Sequence, residues 1–384
     1  MRVLGVIAFF VMVGFGVVVP VLPVYVKSFG VGYLEIGAVV SAFALMRLVA
    51  TPFVGRLVDA MGERIVLASG IGIVAVSSAL VGLADTYTQV LLLRGAGGIG
   101  SAMFSVSAMT LLLAASSATS RGRAMGFYQG GFLVGGMAGP AIGGLLATIS
   151  LTAPFFFYAG TLVIAGTVGL VLLRSRAADV TGAAVSVIRL RSVLVDRRFQ
   201  SACLANLAQG WASFGVRSSL VPVLVVEVLD REPAWTGIAF AVAAVAQTVA
   251  LGPAGRFVDT VGRRPAIIGS YAVGGAAMLA IPFADNIAVL IVLLSIFGVA
   301  AAFMGTAPAA SVGDAAGARG GQPVAIFQAF GDVGAIAGPL VAGLLVDVFS
   351  YQAAFGSAFV LMIAASLFAL RMPRERRIGL GVGR

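Results

Sequence analysis

The sequence has no histidine and a single cysteine, Cys203, in 384 residues. Without histidine the usual metal ligand is missing, and so is the side chain that exchanges protons near neutral pH. One cysteine cannot form an internal disulfide. Charge is scarce too. Asp, Glu, Lys and Arg together make up 10% of the chain, against roughly 25% in soluble domains. There is no phosphate-cradling P-loop, no polar stretch long enough for an ATPase domain, and no visible nucleophile–base pair or metal cluster. These absences argue against an enzyme, and no cofactor or bound metal is expected. Any energy the protein uses must come from a gradient.

What is present is apolar. Hydrophobic residues make up 60% of the chain and the mean hydropathy is +1.07. The charges lie between apolar runs of about 20 residues, the length that crosses a bilayer. Twelve such runs are read at 3–26, 33–55, 66–84, 88–114, 124–147, 153–173, 199–226, 234–254, 265–284, 287–313, 323–346 and 351–371. All are expected to be helices, because isolated strands would leave backbone groups unpaired in lipid. Arg2 and the apolar stretch after it read as an uncleaved first helix, since no small-residue cleavage site follows.

Orientation follows from the arginines. With the N-terminus in the cytoplasm, 20 Lys and Arg fall on the cytoplasmic side and only Lys27 and Arg231 outside. That asymmetry is the positive-inside rule. It places both termini in the cytoplasm and the protein in the plasma membrane as a multi-pass chain. The net charge of +10 is then a sum of short loops lying against anionic lipid, not a nucleic-acid footprint. The longest polar stretch, 174–198, reads as a basic cytoplasmic linker between a bundle at 1–173 and a second at 199–371, with a tail at 372–384.

The chain also repeats itself. Gly55-Arg56-Leu57-Val58-Asp59-Ala60-Met61-Gly62-Glu63-Arg64 returns, 200 residues on, as Gly255-Arg256-Phe257-Val258-Asp259-Thr260-Val261-Gly262-Arg263-Arg264. A repeat of this period in so apolar a chain implies two bundles on one plan around a central site, as in secondary transporters. A second pair lies at an offset of 199. Gly135, Gly139, Pro140, Gly143 and Gly144 in the fifth run are echoed by Gly334, Gly338, Pro339 and Gly343 in the eleventh, with Gln129 and Gln328 ten residues before each Gly-Pro step. Glycines four apart make one smooth helix face that a neighbour can approach closely. The proline bends that face.

The twin motif resembles the loop signature of the major facilitator superfamily, Gly-x-x-x-Asp-Arg/Lys-x-Gly-Arg-Arg/Lys. The match runs through Gly55, Asp59, Gly62 and Arg64, then Gly255, Asp259, Gly262, Arg263 and Arg264, and departs at Ala60, Glu63 and Thr260. The resemblance implies an all-α membrane fold of two six-helix bundles related by a pseudo-two-fold axis. It also implies that these loops act as cytoplasmic gates between access states. The fifth run resembles the Gly-x-x-x-Gly-Pro-x-x-Gly-Gly pattern of the superfamily's antiporters. The first run, with Gly14, Gly16, Pro20, Pro23 and Tyr25, is similar to that of its drug exporters, although it carries no acid.

Charges inside spans point to mechanism, since each costs several kcal/mol unless paired or hydrated. Arg94 lies in Arg94-Gly95-Ala96-Gly97-Gly98, which resembles the fourth-helix arginine signature linked to proton coupling. Asp332 is the one acid placed within a span and so is the proton-carrier candidate, with a structural role equally open. Arg217 can attract an anion or pair with Glu227. Arg47 can reach toward the cytoplasm. The expectation is an alternating-access transporter, acting as a monomer on a small lipophilic substrate with protons as coupling ion. A carrier for a sugar, metabolite or organic anion is the alternative.

Overall fold

The structure is a computed structural model that describes residues 2–114, 121–172, 190–316 and 321–373. Much of the basic linker and nearly all of the tail therefore lie outside the described residues. Within them there are helices and no strands.

Helices α1 (Arg2–Val18) and α2 (Leu22–Lys27) together fill the first run. They are separated where Pro20 removes a backbone donor and Pro23 opens the next helix. Next come α3 (Tyr33–Met61), α4 (Glu63–Val81), α5 (Tyr87–Ala114), α6 (Arg121–Ala147) and α7 (Ala153–Leu172). A short α8 (Leu190–Val195) precedes the seventh run, which is α9 (Arg197–Gly210), a π-helical segment (Trp211–Arg217) and α10 (Ser218–Glu227). The remaining spans are α11 (Pro233–Thr260), α12 (Arg263–Ala280), α13 (Ile287–Ala316), α14 (Gly321–Val348) and α15 (Tyr351–Ala369). All twelve expected spans thus find a helix. Ten are unbroken and long and apolar enough to cross a membrane, while the first and seventh are interrupted.

The helices run past the expected ends of the apolar runs. At 29 residues, α3 extends for about 43 Å, longer than the roughly 30 Å of hydrocarbon it must cross. Its extra turns carry Gly55 and Asp59. The loop expected at this motif is therefore mostly helix, and the chain reverses at a single residue, Gly62. The second copy does the same over Val261 and Gly262, between α11 and α12.

The chain forms two compact units. The first comprises Met1–Thr181, Ser218–Ala241 and Pro339–Asp347; the second comprises Gly182–Arg217, Val242–Gly338 and Val348–Arg384. In the first, α1 packs along α6 and α7, and α5 packs along α3 and α4. Its core is aliphatic and aromatic, including Leu4, Ile7, Ile36, Leu67, Leu112, Phe155 and Leu162. In the second, α12 packs on α13 and α15, and α9 packs on both of these. Many large apolar side chains point outward along the spans, among them Val49, Phe53, Val76, Leu92, Val249 and Val360. Such a surface would aggregate in water and is at rest in lipid.

Candidate functional site

The first unit contains a buried cation. Arg94 lies seven residues, about 10 Å, from the Tyr87 end of α5, and is 8% exposed. Its guanidinium carbon stands 4.5 Å from the centre of the Phe43 ring on α3. Phe15 of α1 tilts against the same ring at 5.8 Å. Tyr158 of α7, also buried, is near enough to interact with the arginine's charge. Among the described residues no carboxylate lies within ion-pair distance of Arg94, and its buried Nε has no acceptor. The ring beneath it supplies up to about 2 kcal/mol when desolvated. That does not replace the hydrogen bonds the guanidinium gave up on leaving water.

The glycines after Arg94 explain its placement. A Cβ on Gly98 would run into the backbone oxygen of Phe43, and one on Gly97 would press on Ser77 Oγ at 3.1 Å. Side chains there would push α5 off α3 and carry Arg94 away from its ring.

The glycine faces meet the helices that carry the other glycine motif. Gly16 of α1 and Gly139 of α6 lie backbone to backbone, so that a Cβ on Gly139 would approach the Gly16 Cα to 2.7 Å. Gly135 abuts the Phe9 oxygen at 2.7 Å, and Gly143 is closed off by Val17. The second unit repeats the crossing 199 residues later, where a Cβ on Gly338 would come within 2.9 Å of the Gly215 Cα. The two signatures read separately in the sequence are thus the two sides of one contact.

In the second unit Arg217 ends the π-helical segment and stands 5.4 Å over the Phe297 ring. Trp211, at the start of that segment, donates from Nε1 to Ser357 Oγ at 3.1 Å. A π-helical stretch is often retained at functional sites. Asp332 is half-buried on α14 and engaged by a neighbour. Gln328 and Gln129 are both exposed. Arg47 is half-buried and engaged. The Tyr25 hydroxyl donates to the carbonyl oxygens of Val81 at 2.8 Å and Ala84 at 3.3 Å, tying α2 to the end of α4.

At the turns, Gly62 and Gly262 have φ of +83° and +117°, a region that side chains resist. Arg64 donates to the Leu170 carbonyl of α7. Arg263 places Nε 2.9 Å from Asp314 Oδ2 and Nη1 3.3 Å from the Val258 oxygen. Asp59 and Asp259 are exposed, as is Gly55, and Arg264 is half-buried.

At the opposite end of the first unit, Asp347 accepts from the N–H groups of Tyr33 at 3.0 Å and Leu34 at 2.7 Å. The Tyr33 hydroxyl donates to Glu227, and Lys27 lies 3.7 Å from Glu227. Gly144 and Gly237 pack backbone to backbone, as do Gly37 and Pro339. Glu227, a candidate partner for Arg217, takes Lys27 and the Tyr33 hydroxyl. Sequence reasoning named neither Phe43, Tyr158, Asp314 nor Asp347 for these roles. Only Asp314 left a signal: it pairs with Arg263, and the positions 200 residues earlier hold Ala114 and Glu63, so both partners differ between the copies.

Comparison with known proteins gives a family and a fold. The family model described as Major Facilitator Superfamily matches residues 4–233 and 202–381. Among curated proteins, the chain is 30% identical over 165 residues to the quinolone resistance protein NorA of Staphylococcus aureus, covering 43% of this chain and 42% of that protein. It is 30% identical over 166 residues to multidrug resistance protein 1 of Bacillus subtilis, covering 43% of each. The chain thus matches less than half the length of these relatives. Among solved structures, a bacterial homolog of the human lysosomal transporter Spinster, inward-facing and unoccupied, superimposes over 96% of this chain and 93% of its own with a TM-score of 0.76 at 16% identity. The nucleoside transporter NupG does so over 97% and 99%, with a TM-score of 0.75 at 14% identity.

Proposed function

The chain belongs to the major facilitator superfamily, and on that premise we propose that it exports small lipophilic or drug-like molecules by alternating access, driven by inward proton flow. Membership makes it a membrane transporter with a fold of two six-helix bundles. The observation that carries the finer reading is the repeated glycine crossing of α1 on α6 and of α9 and its π-helical extension on α14. Each crossing brings backbones together without interlocking side chains, so one helix can rock on the other with little repacking. The names of the two curated relatives, for quinolone and multidrug resistance, support a drug-like cargo.

The halves at 1–173 and 199–371 are the repeat units of this reading, with both termini cytoplasmic in the plasma membrane. Asp332, within a span, is the proposed proton carrier. The turns at Gly62 and Gly262 are the proposed cytoplasmic gates. The protein is proposed to work as a monomer.

The test is quinolone movement in proteoliposomes made acidic inside, with protein-free vesicles correcting for passive trapping. Accumulation that needs the gradient and is lost in Asp332→Asn is the expected result. Accumulation that ignores the gradient and survives Asp332→Asn would remove proton coupling and leave a facilitator. No protein-dependent accumulation would remove the drug-export reading.

A further inference from the structure

Arg94 holds a permanent positive charge, because a guanidinium keeps its proton in proteins. It is 8% exposed, with Nε lacking an acceptor and no carboxylate within ion-pair distance among the described residues. It cannot withdraw to water easily, since Gly97 and Gly98 hold its helix against α3. An intramembrane charge kept at this cost without a carboxylate partner among the described residues is expected to meet one in a ligand.

The surroundings restrict that ligand. The Phe43 ring covers one face of the guanidinium at 4.5 Å. A guanidinium presents its N–H groups along its edge, and a carboxylate matches two of those groups at once. Phe15, packed on Phe43 at 5.8 Å, continues an aromatic wall suited to a flat apolar body. A lipophilic cation would be repelled here, and a neutral molecule would leave the charge unanswered.

We propose that Arg94, stacked on Phe43, is the docking point for the carboxylate of an amphipathic aromatic substrate. This rests on reading the protein as a carrier of small amphipathic molecules, and it narrows them to those bearing an anionic group.

The experiment is equilibrium binding to the purified full chain in detergent, with no gradient, using radiolabelled 1-naphthylacetate and its uncharged amide. The native protein should bind the carboxylate roughly tenfold or more tightly than the amide, the usual scale for a charge-assisted hydrogen bond. Arg94→Gln should erase that preference while leaving amide binding in place. Arg94→Lys should keep part of it, because charge survives without the fork. Phe43→Leu should weaken carboxylate binding while the protein stays folded by size exclusion. Arg56→Gln, an exposed arginine, should change nothing. Equal affinities in the native chain, a preference that persists in Arg94→Gln, or no binding of either probe would overturn the proposal. Displacement of naphthylacetate by an equal concentration of chloride would overturn the aromatic assignment and leave an inorganic anion site. Failure of gradient-driven quinolone movement with the carboxylate preference intact would remove drug export and keep the anion site.

Discussion

Asp347 caps Tyr33. Its two carboxylate oxygens accept from the first backbone N–H groups of α3, a helix whose own cap position is Gly32, without a side chain to do so. The bond joins residues 314 positions apart, and it supplies from the end of α14 what the local sequence lacks. Negative charge at a helix start is also favoured by the helix dipole. Asp347→Ala should lower stability by about 1 kcal/mol, the usual value of a lost cap. Thermal unfolding in detergent checks this. Asp347→Asn should lose less, since one oxygen remains. An unchanged melting midpoint in Asp347→Ala would show that the cap contributes nothing.

The glycine crossings give a contrast within one residue type. Gly139→Ala places a methyl 2.7 Å from the Gly16 Cα, and overpacking of this kind costs about 1–3 kcal/mol. Gly338→Ala should behave alike, for the same reason in the second unit. Gly160→Ala, with nothing within 4 Å of the added methyl, should instead stabilise α7 by about 0.5–1 kcal/mol through reduced backbone freedom. The three melting midpoints, measured side by side, decide the matter. A destabilised Gly160→Ala beside a neutral Gly139→Ala would reverse the assignment.

The turn glycines separate from their motif neighbours in the same way. Gly62→Ala and Gly262→Ala force a side chain into φ of +83° and +117°, which costs on the order of 1–3 kcal/mol. Gly55→Ala lies inside α3 with open space around it and should be neutral or slightly stabilising. Denaturation of the three variants in one detergent gives the ranking. Equal behaviour of Gly55→Ala and Gly62→Ala would mean that the turn tolerates a side chain.

Much of the fold was legible because apolar length and charge placement answer to the bilayer alone. The twelve spans needed no knowledge of tertiary contacts, and the repeats at 199 and 200 residues showed that the two halves share a plan. The glycine faces could be read as contact surfaces, since a row of residues without side chains has few other uses in a helix. Their partners could not, because spacing along α6 does not say which helix approaches it. The interruptions in the first and seventh spans were half visible. Pro20 marked one, while nothing at Trp211–Arg217 announces a π-helical stretch. Arg94 was identifiable as an expensive charge, but its ring, Phe43, lies 51 residues earlier and looks like any other phenylalanine. The Arg263–Asp314 pair was hidden for a similar reason. The departure at Glu63 stood out in the repeat, but its meaning needed the Arg263–Asp314 pair in the second copy to be seen.

Helix α3 has its first turn gripped by Asp347 and its last turn ending directly on Gly62, with no slack of chain between that turn and α4. A rod about 43 Å long, with one internal proline, Pro52, that removes a backbone donor, therefore has both ends held by different means. Shortening, sliding or tilting it at one face of the bilayer must show at the other. In mechanical terms α3 is a pushrod, and Pro52 is the one place along it where such a stroke could be absorbed instead of delivered.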